Sequence, residues 1–147
     1  MSEYEKKTSS DTIYQNAQNK VDDFSFNRQV VDVFPDMIER SIPGYANIID
    51  GIGRLAAKFT IPGSNVYDLG CSLGAVSLSI AKHNQQHDIQ IIGVDNSSAM
   101  VERCQRHVDS YTYANPIHIK EADIVDFHLN NASVIVMNFT LQFIEPT

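Results

Sequence analysis

The sequence has no tryptophan, two cysteines and a shortage of positive charge. Two thiols, Cys71 and Cys104, are too few for a disulfide-built secreted scaffold. The opening MSEYEKKTSSDTIYQNAQ has no apolar stretch of the kind a secretory leader needs, so the expected compartment is the cytoplasm. No apolar run approaches the roughly 18 residues that cross a bilayer, and no membrane partner is expected. Lysine and arginine number 11 against 18 aspartates and glutamates, a net charge of −7 with no basic cluster. Tight direct binding of nucleic acid needs concentrated lysine and arginine, so a small-molecule role is favoured. What is present suffices for one core, because 43% of the 147 residues are hydrophobic. Glycine and proline are sparse, 7 and 5, which makes their positions informative.

Residues 1–23 are polar and almost free of branched aliphatics, and they read as a mobile tail. From residue 24 to 147 the chain reads as one domain with a helical N-terminal extension. Apolar positions from Val30 to Ala56 fall at helical spacing, and Pro35 and Pro43-Gly44 divide them into two or three helical pieces. Beyond Pro62-Gly63 short β-rich runs alternate with helical ones. Strands are expected at Asn65 to Leu69, Ile89 to Asp95, Ile117 to Glu121 and Ser133 to Met137. Helices are expected at Ala75 to Lys82 and at Ser98 to Asp109, the latter capped by Ser97 or Ser98 with Glu102 in its first turn. Apolar strands joined through helices indicate a doubly wound α/β domain with a parallel sheet covered on both sides.

The stretch YDLGCSLGAVSLSI carries the chemistry. Gly70 follows a strand and Gly74 precedes a helix, at the carboxyl edge where open α/β sheets bind ligands. The G-x-x-x-G spacing matches neither the dinucleotide fingerprint nor a P-loop, so a nucleoside without a pyrophosphate fits better. Asp95, ending the second strand, can accept both ribose hydroxyls. Asp68 is placed to orient the loop or meet a ligand ammonium, Asp123 to flank an adenine ring, and Asn138 ends the fourth strand beside the loop. A ribose, an adenine and a zwitterionic tail without phosphate describe S-adenosylmethionine.

Three stretches, VYDLGCSLG, DNSSAM and EADIVD, resemble the first motifs of class I S-adenosylmethionine-dependent methyltransferases. More narrowly, VFPDMIERSIPGY, YDLGCSLGA, VDNSSAMVERC and NFTLQFIEP are similar to the carboxy-S-adenosylmethionine synthase family. The likeness runs from Phe24 to the last residue. It implies a Rossmann-like sheet of order 3-2-1-4 and a reaction of S-adenosylmethionine with prephenate that gives carboxy-S-adenosylmethionine and phenylpyruvate. A proton leaves the sulfonium methyl group, and the resulting ylide captures the carbon dioxide released from prephenate. A downstream enzyme uses the product in 5-oxyacetyl modification of wobble uridine in tRNA. By motif, Tyr45, Gly70, Cys71 and Ser72 contact the cofactor, Asp95 and Asn96 hold its ribose, Asp123 and Ile124 border its adenine, and Asn138 faces its reactive end. A homodimer is the implied assembly, no metal is implied, and no residue is assigned as catalytic. The family continues through further strands and a carboxylate-gripping arginine, so the chain reads as the N-terminal portion of the domain, with strand four an uncovered edge.

Plainer readings stand beside these. Cys71 near a helix N-terminus has the position of a nucleophile, yet without a partner base it reads as a small loop filler. His83 and His87 are four apart, as metal ligands on a helix would be, but HNQQH reads as a solvated helix end. Asn96, Asn131 and Asn138 begin Asn-x-Ser/Thr triplets that have no meaning without secretion. Tyr45 either packs beneath the helices or meets the ligand. Prephenate is a dianion, and Arg40 and Arg54 are the candidate cations for it. The rival functions are a methyltransferase acting on a small molecule or tRNA, and a non-catalytic cofactor-binding module.

Overall fold

The computed structural model describes residues 28–86 and 88–146, so the expected tail of residues 1–23 lies outside the described residues, as does His87. Helix α1 runs Arg28–Ser41 and α2 runs Tyr45–Phe59, separated at Pro43-Gly44 as expected. Pro35 does not divide α1, however, but lies inside it. Proline removes one amide donor, while Val30, Val31, Val33 and Phe34 on its N-terminal side are buried. Val31 and Phe34 pack with Met100, and that burial outweighs the single lost hydrogen bond.

Four parallel strands follow: β1 (Asn65–Leu69), β2 (Gln90–Asp95), β3 (Ile117–Glu121) and β4 (Ala132–Val136). Helix α3 (Ala75–His83) joins β1 to β2, and α4 (Ser98–Asp109) joins β2 to β3. The order is β3-β2-β1-β4, as the resemblance implied. Ser97 is the cap of α4, its hydroxyl accepting from the Met100 amide at 3.2 Å. Glu102 is not in the first turn; it sits one turn further on and pairs with Arg28 and Arg106.

The two faces of the sheet are covered differently. Val66, Ile91 and Ala56 share a core with Val76, Ile80 and Ala81 of α3. Because β1, β2 and β3 are laid down in one direction across the sheet, right-handed crossovers put α3 and α4 on the same face. The return from β3 to β4 crosses the opposite face without a helix. There Tyr67, Leu69, Ile92 and Val94 are covered by Ala122, Ile124 and Phe127. The expectation of helices joining every strand is corrected at that connection. Strand β4 is an edge of this sheet, and its Ile135 is 48% exposed.

Helix α2 lies close on α3. A Cβ on Gly53 would come within 2.2 Å of the Ser79 hydroxyl and 2.6 Å of the Ser79 carbonyl oxygen. This contact fixes the start of α2, and with it Tyr45, relative to the carboxyl ends of the strands.

Candidate functional site

The chain leaves β1 at Leu69 and turns at Gly70, whose φ of 76° lies in the region that favours glycine. A side chain there would also collide with Thr140, whose Oγ1 and Cγ2 stand 2.5 Å from the position of a Cβ. The amides of Gly70 and Cys71 donate to the Val94 carbonyl at 2.7 and 3.0 Å, tying the bend to the end of β2. Ser72 takes a positive φ of 50°, and its amide donates to Asp95 Oδ2 at 3.1 Å. The bend therefore faces the aspartate that the sequence singled out. Gly74, at φ 84°, opens α3.

Asp95 ends β2 and its Oδ1 accepts a second amide, from Ser97, at 3.0 Å. Burial raises its carboxyl above the ordinary range, and the amides of Ser97, Ser72 and Asn96 oppose that rise. With three amides on its two oxygens the carboxylate still keeps acceptor capacity for a ligand hydroxyl. Asp68 is more deeply buried, at 1% exposure, and accepts the Ser77 hydroxyl at 2.7 Å. Burial pushes its carboxyl up to about 6, with the Ser77 hydroxyl and amide pulling the other way. The phenol of Tyr45, at the first position of α2, is raised by burial and then by the charge of Asp68. Asp123 follows β3 and turns the chain by accepting the Val125 amide at 2.9 Å.

All nine residues named for the cofactor line one cavity: Tyr45, Gly70, Cys71, Ser72, Asp95, Asn96, Asp123, Ile124 and Asn138. Asp68 lines it too, and its volume is about 1300 Å³. Small-ligand sites commonly measure roughly 300–1,000 Å³, so a nucleoside would leave room for a second small molecule. Tyr45 thus belongs to the cavity wall.

Other candidates fall elsewhere. Cys71 is 4% exposed, and contact with the Cys104 thiol, reinforced by burial, raises its pKa far from the thiolate range. It is a loop filler, since the thiolate is the nucleophile. His83 bonds Asp50 at 2.8 Å beside Arg54. Among the described residues no group of three or more histidine, cysteine, aspartate or glutamate side chains could hold a metal ion. Asn131 donates its side chain to the Gly63 carbonyl, closing a turn. Arg40 and Arg54 do not line the cavity; each is held by an acid one helical turn away, Asp36 at 3.1 Å and Asp50 at 2.6 Å. The basic side chains in the described wall are Arg103, Arg106 and His107 of α4, and the two arginines pair with Asp32 and Glu102. Sequence reading missed them because residues at i, i+3 and i+4 share a helix face, and which face meets the cavity depends on how α1 packs.

Comparison with known proteins gives a consistent outline. Residues 66–147 match the family model described as a methyltransferase domain. The carboxy-S-adenosyl-L-methionine synthase of Vibrio vulnificus (strain YJ016) is 56% identical over 140 residues, 95% of this chain and 57% of that protein. The Alteromonas mediterranea protein of the same name is 58% identical over 137 residues, 93% of this chain and 56% of its own length. The chain therefore spans little more than half the length of these relatives. Among solved structures, a putative S-adenosyl-L-methionine-dependent methyltransferase from Methanococcus maripaludis superposes with a TM-score of 0.64 at 24% identity, over 86% of this chain and 56% of that one. An amino pentose methyltransferase from Micromonospora echinaspora, solved with S-adenosylmethionine bound, gives a TM-score of 0.55 at 15% identity over 86% of this chain and 48% of its own. At those identities the likeness is one of fold.

Proposed function

The chain belongs to the methyltransferase-domain family, and from that premise we propose that it carries the S-adenosylmethionine site of a carboxy-S-adenosylmethionine synthase. The reaction of S-adenosylmethionine with prephenate gives carboxy-S-adenosylmethionine, phenylpyruvate and water, the proton lost from the sulfonium methyl group balancing the hydroxide that leaves prephenate with its carbon dioxide. The observation that carries this reading is the convergence of all nine motif residues on one cavity, together with 56% identity to a protein of that name.

In this reading Asp95 and Asn96 hold the ribose hydroxyls, and Asp123 with Ile124 borders the adenine. Gly70 and Ser72 present backbone to the amino-acid tail, where Asp68 receives the ammonium. The bend is preorganised by Asp95 itself, so little ordering is left to occur on binding. Asn138, two residues beyond β4, faces the sulfonium methyl group. A carbanion beside a positive sulfur survives only where water is kept out, so the chain orients and shields its reactants. Arg103 and Arg106 on α4 are the arginines in the described wall, and each pairs with an acid, Asp32 and Glu102, so an incoming dianion would compete with those carboxylates for them. We place the protein in the cytoplasm, as a homodimer, with its product passing to a downstream tRNA-modifying enzyme and no direct contact with tRNA. No described helix is long and apolar enough to cross a membrane.

The test is calorimetry with S-adenosylmethionine, followed by mass spectrometry of the cofactor after incubation with and without prephenate. The expected product bears a carboxyl group in place of one methyl hydrogen, and only when prephenate is present. Formation of S-adenosylhomocysteine would select methyl transfer instead. Binding with no product under either condition would make this chain a cofactor-binding module.

A further inference from the structure

Phe139 occupies a backbone conformation that its own burial does not explain. Its φ is +55°, the left-handed region that strains a residue with a side chain. Such strain is commonly repaid by core packing, yet the ring is 39% exposed and belongs to none of the packed apolar clusters. It also stacks on no other aromatic ring among the described residues. Instead it lines the cavity.

The next residue holds it there. Thr140 donates its hydroxyl to the Leu69 carbonyl at 2.8 Å and fills the space a side chain at Gly70 would need. The Thr140 carbonyl accepts the Phe143 amide at 3.0 Å, which starts a short 3-10 helix of Leu141–Phe143. The strained turn is thus latched onto the carboxyl end of β1, beside the bend and between Asn138 and Gly70. Of the other aromatic side chains in the wall, Phe34 is buried against α4, Tyr45 carries a phenol whose pKa is raised by burial and then by the charge of Asp68, and Phe143 ends the 3-10 helix with its ring 52% exposed and no positive φ of its own. Around the sheet edge the wall carries the carboxylates of Asp68, Asp95 and Asp123, so this end of the cavity suits a cation.

We propose that Phe139 is the sulfonium-recognising residue: its ring lies against the positively charged sulfur of the cofactor and selects a sulfonium over an uncharged thioether. This rests on the S-adenosylmethionine reading above. A benzene face attracts a cation through its quadrupole and a neutral thioether sulfur more weakly. The backbone that carries the ring is placed by the Thr140 latch, so this part of the wall is in place before the ligand arrives.

The experiment measures S-adenosylmethionine and S-adenosylhomocysteine affinities for the unaltered chain, Phe139→Leu and Phe139→Tyr. Leucine keeps the strain and the apolar bulk but has no ring; tyrosine keeps the ring. Phe139→Leu is expected to weaken S-adenosylmethionine about five- to tenfold while changing S-adenosylhomocysteine less than about twofold. Phe139→Tyr is expected to restore the preference. Equal losses for both ligands, or no loss for either, would overturn the inference and leave the cofactor reading intact. Failure of the unaltered chain to bind S-adenosylmethionine would overturn both. Thermal unfolding of each variant accompanies the titrations, and a Phe139→Leu chain that melts with the unaltered one assigns any loss to the ligand contact.

Discussion

The two ends of the same four strands are built on opposite plans. At the amino end, most polar groups bond one another, although Asn84 Oδ1 is buried without a partner, and the positive φ of 48° there falls on Asn131, a residue type that tolerates it. Ser64 donates to Ser133 at 2.6 Å, the Asn65 side chain and Tyr67 hydroxyl both donate to the Asn130 carbonyl at 3.0 Å, and Asn115 bridges the Ile89 amide and the Asn84 carbonyl at 3.2 and 2.8 Å. At the carboxyl end, carboxylates are buried without cations, Ser72 and Phe139 are held at positive φ, and the groups face a cavity. Buried polar groups normally find partners. An end that closes its own hydrogen bonds is architecture; one that leaves burial and strain uncompensated is arranged for a ligand to complete.

The comparison can be broken most severely at Gly70. Gly70→Ala forces a side chain into Thr140 at a left-handed position, and a loss of about 3 kcal/mol or more in stability is expected, with cofactor binding abolished. Thermal unfolding and titration report the two effects.

Asp68 comes next. Its folded pKa, about 6, lies above the ordinary 3.8, so the folded chain binds the extra proton between those values. Stability of the free chain therefore falls as pH rises from about 4 to about 6, by about 3 kcal/mol in the limit, and is level above that. Asp68→Asn is expected to remove the slope and to be the more stable chain at pH 7. It pays with affinity for a cofactor bearing an ammonium. In the unaltered chain that affinity is expected to weaken as pH drops below about 6, because the cation binds the carboxylate. Unfolding and calorimetry across pH 4 to 8 check both signs.

Asp95→Ala sharpens the contrast within the site. It removes the acceptor of the Ser72 and Ser97 amides and is expected to weaken cofactor binding by about 1 to 3 kcal/mol. Unchanged affinity would place the ribose elsewhere. At the opposite end, Asn115→Ala is expected to lower stability by about 1 to 2 kcal/mol through its lost buried hydrogen bonds, with cofactor affinity unaltered. The smallest effect is expected at Asp50, whose pair with exposed Arg54 and bond to the largely buried His83 lie away from the cavity: Asp50→Asn should lower the melting temperature only slightly and leave binding within error.

Much of this contrast was legible beforehand. Strands β1 and β3 lie where the β-rich runs placed them, β2 and β4 within a residue, because short apolar runs bounded by glycine and polar residues have few other uses. The bend was legible because glycine follows a strand and precedes a helix. The continuity of α1 through Pro35 was not, since a local rule about one missing donor was outweighed by long-range burial against Met100. The helix-free return from β3 to β4 was hidden too, for residues 122–131 carry no periodic signal. Thr140 gave no sign of being a latch, as its partner Leu69 is 71 residues away.

The sequence by itself determined the parallel α/β pattern, the glycine bend and the aspartates that flank it, because each is a local matter of periodicity and backbone freedom. Only the tertiary structure decided that Asp68 keeps its proton to about pH 6, that α4 turns Arg103, Arg106 and His107 towards the cavity, and that Phe139 lies in its wall at a positive φ. Those properties depend on burial and on which distant segments meet, and neither is encoded in any short stretch of chain.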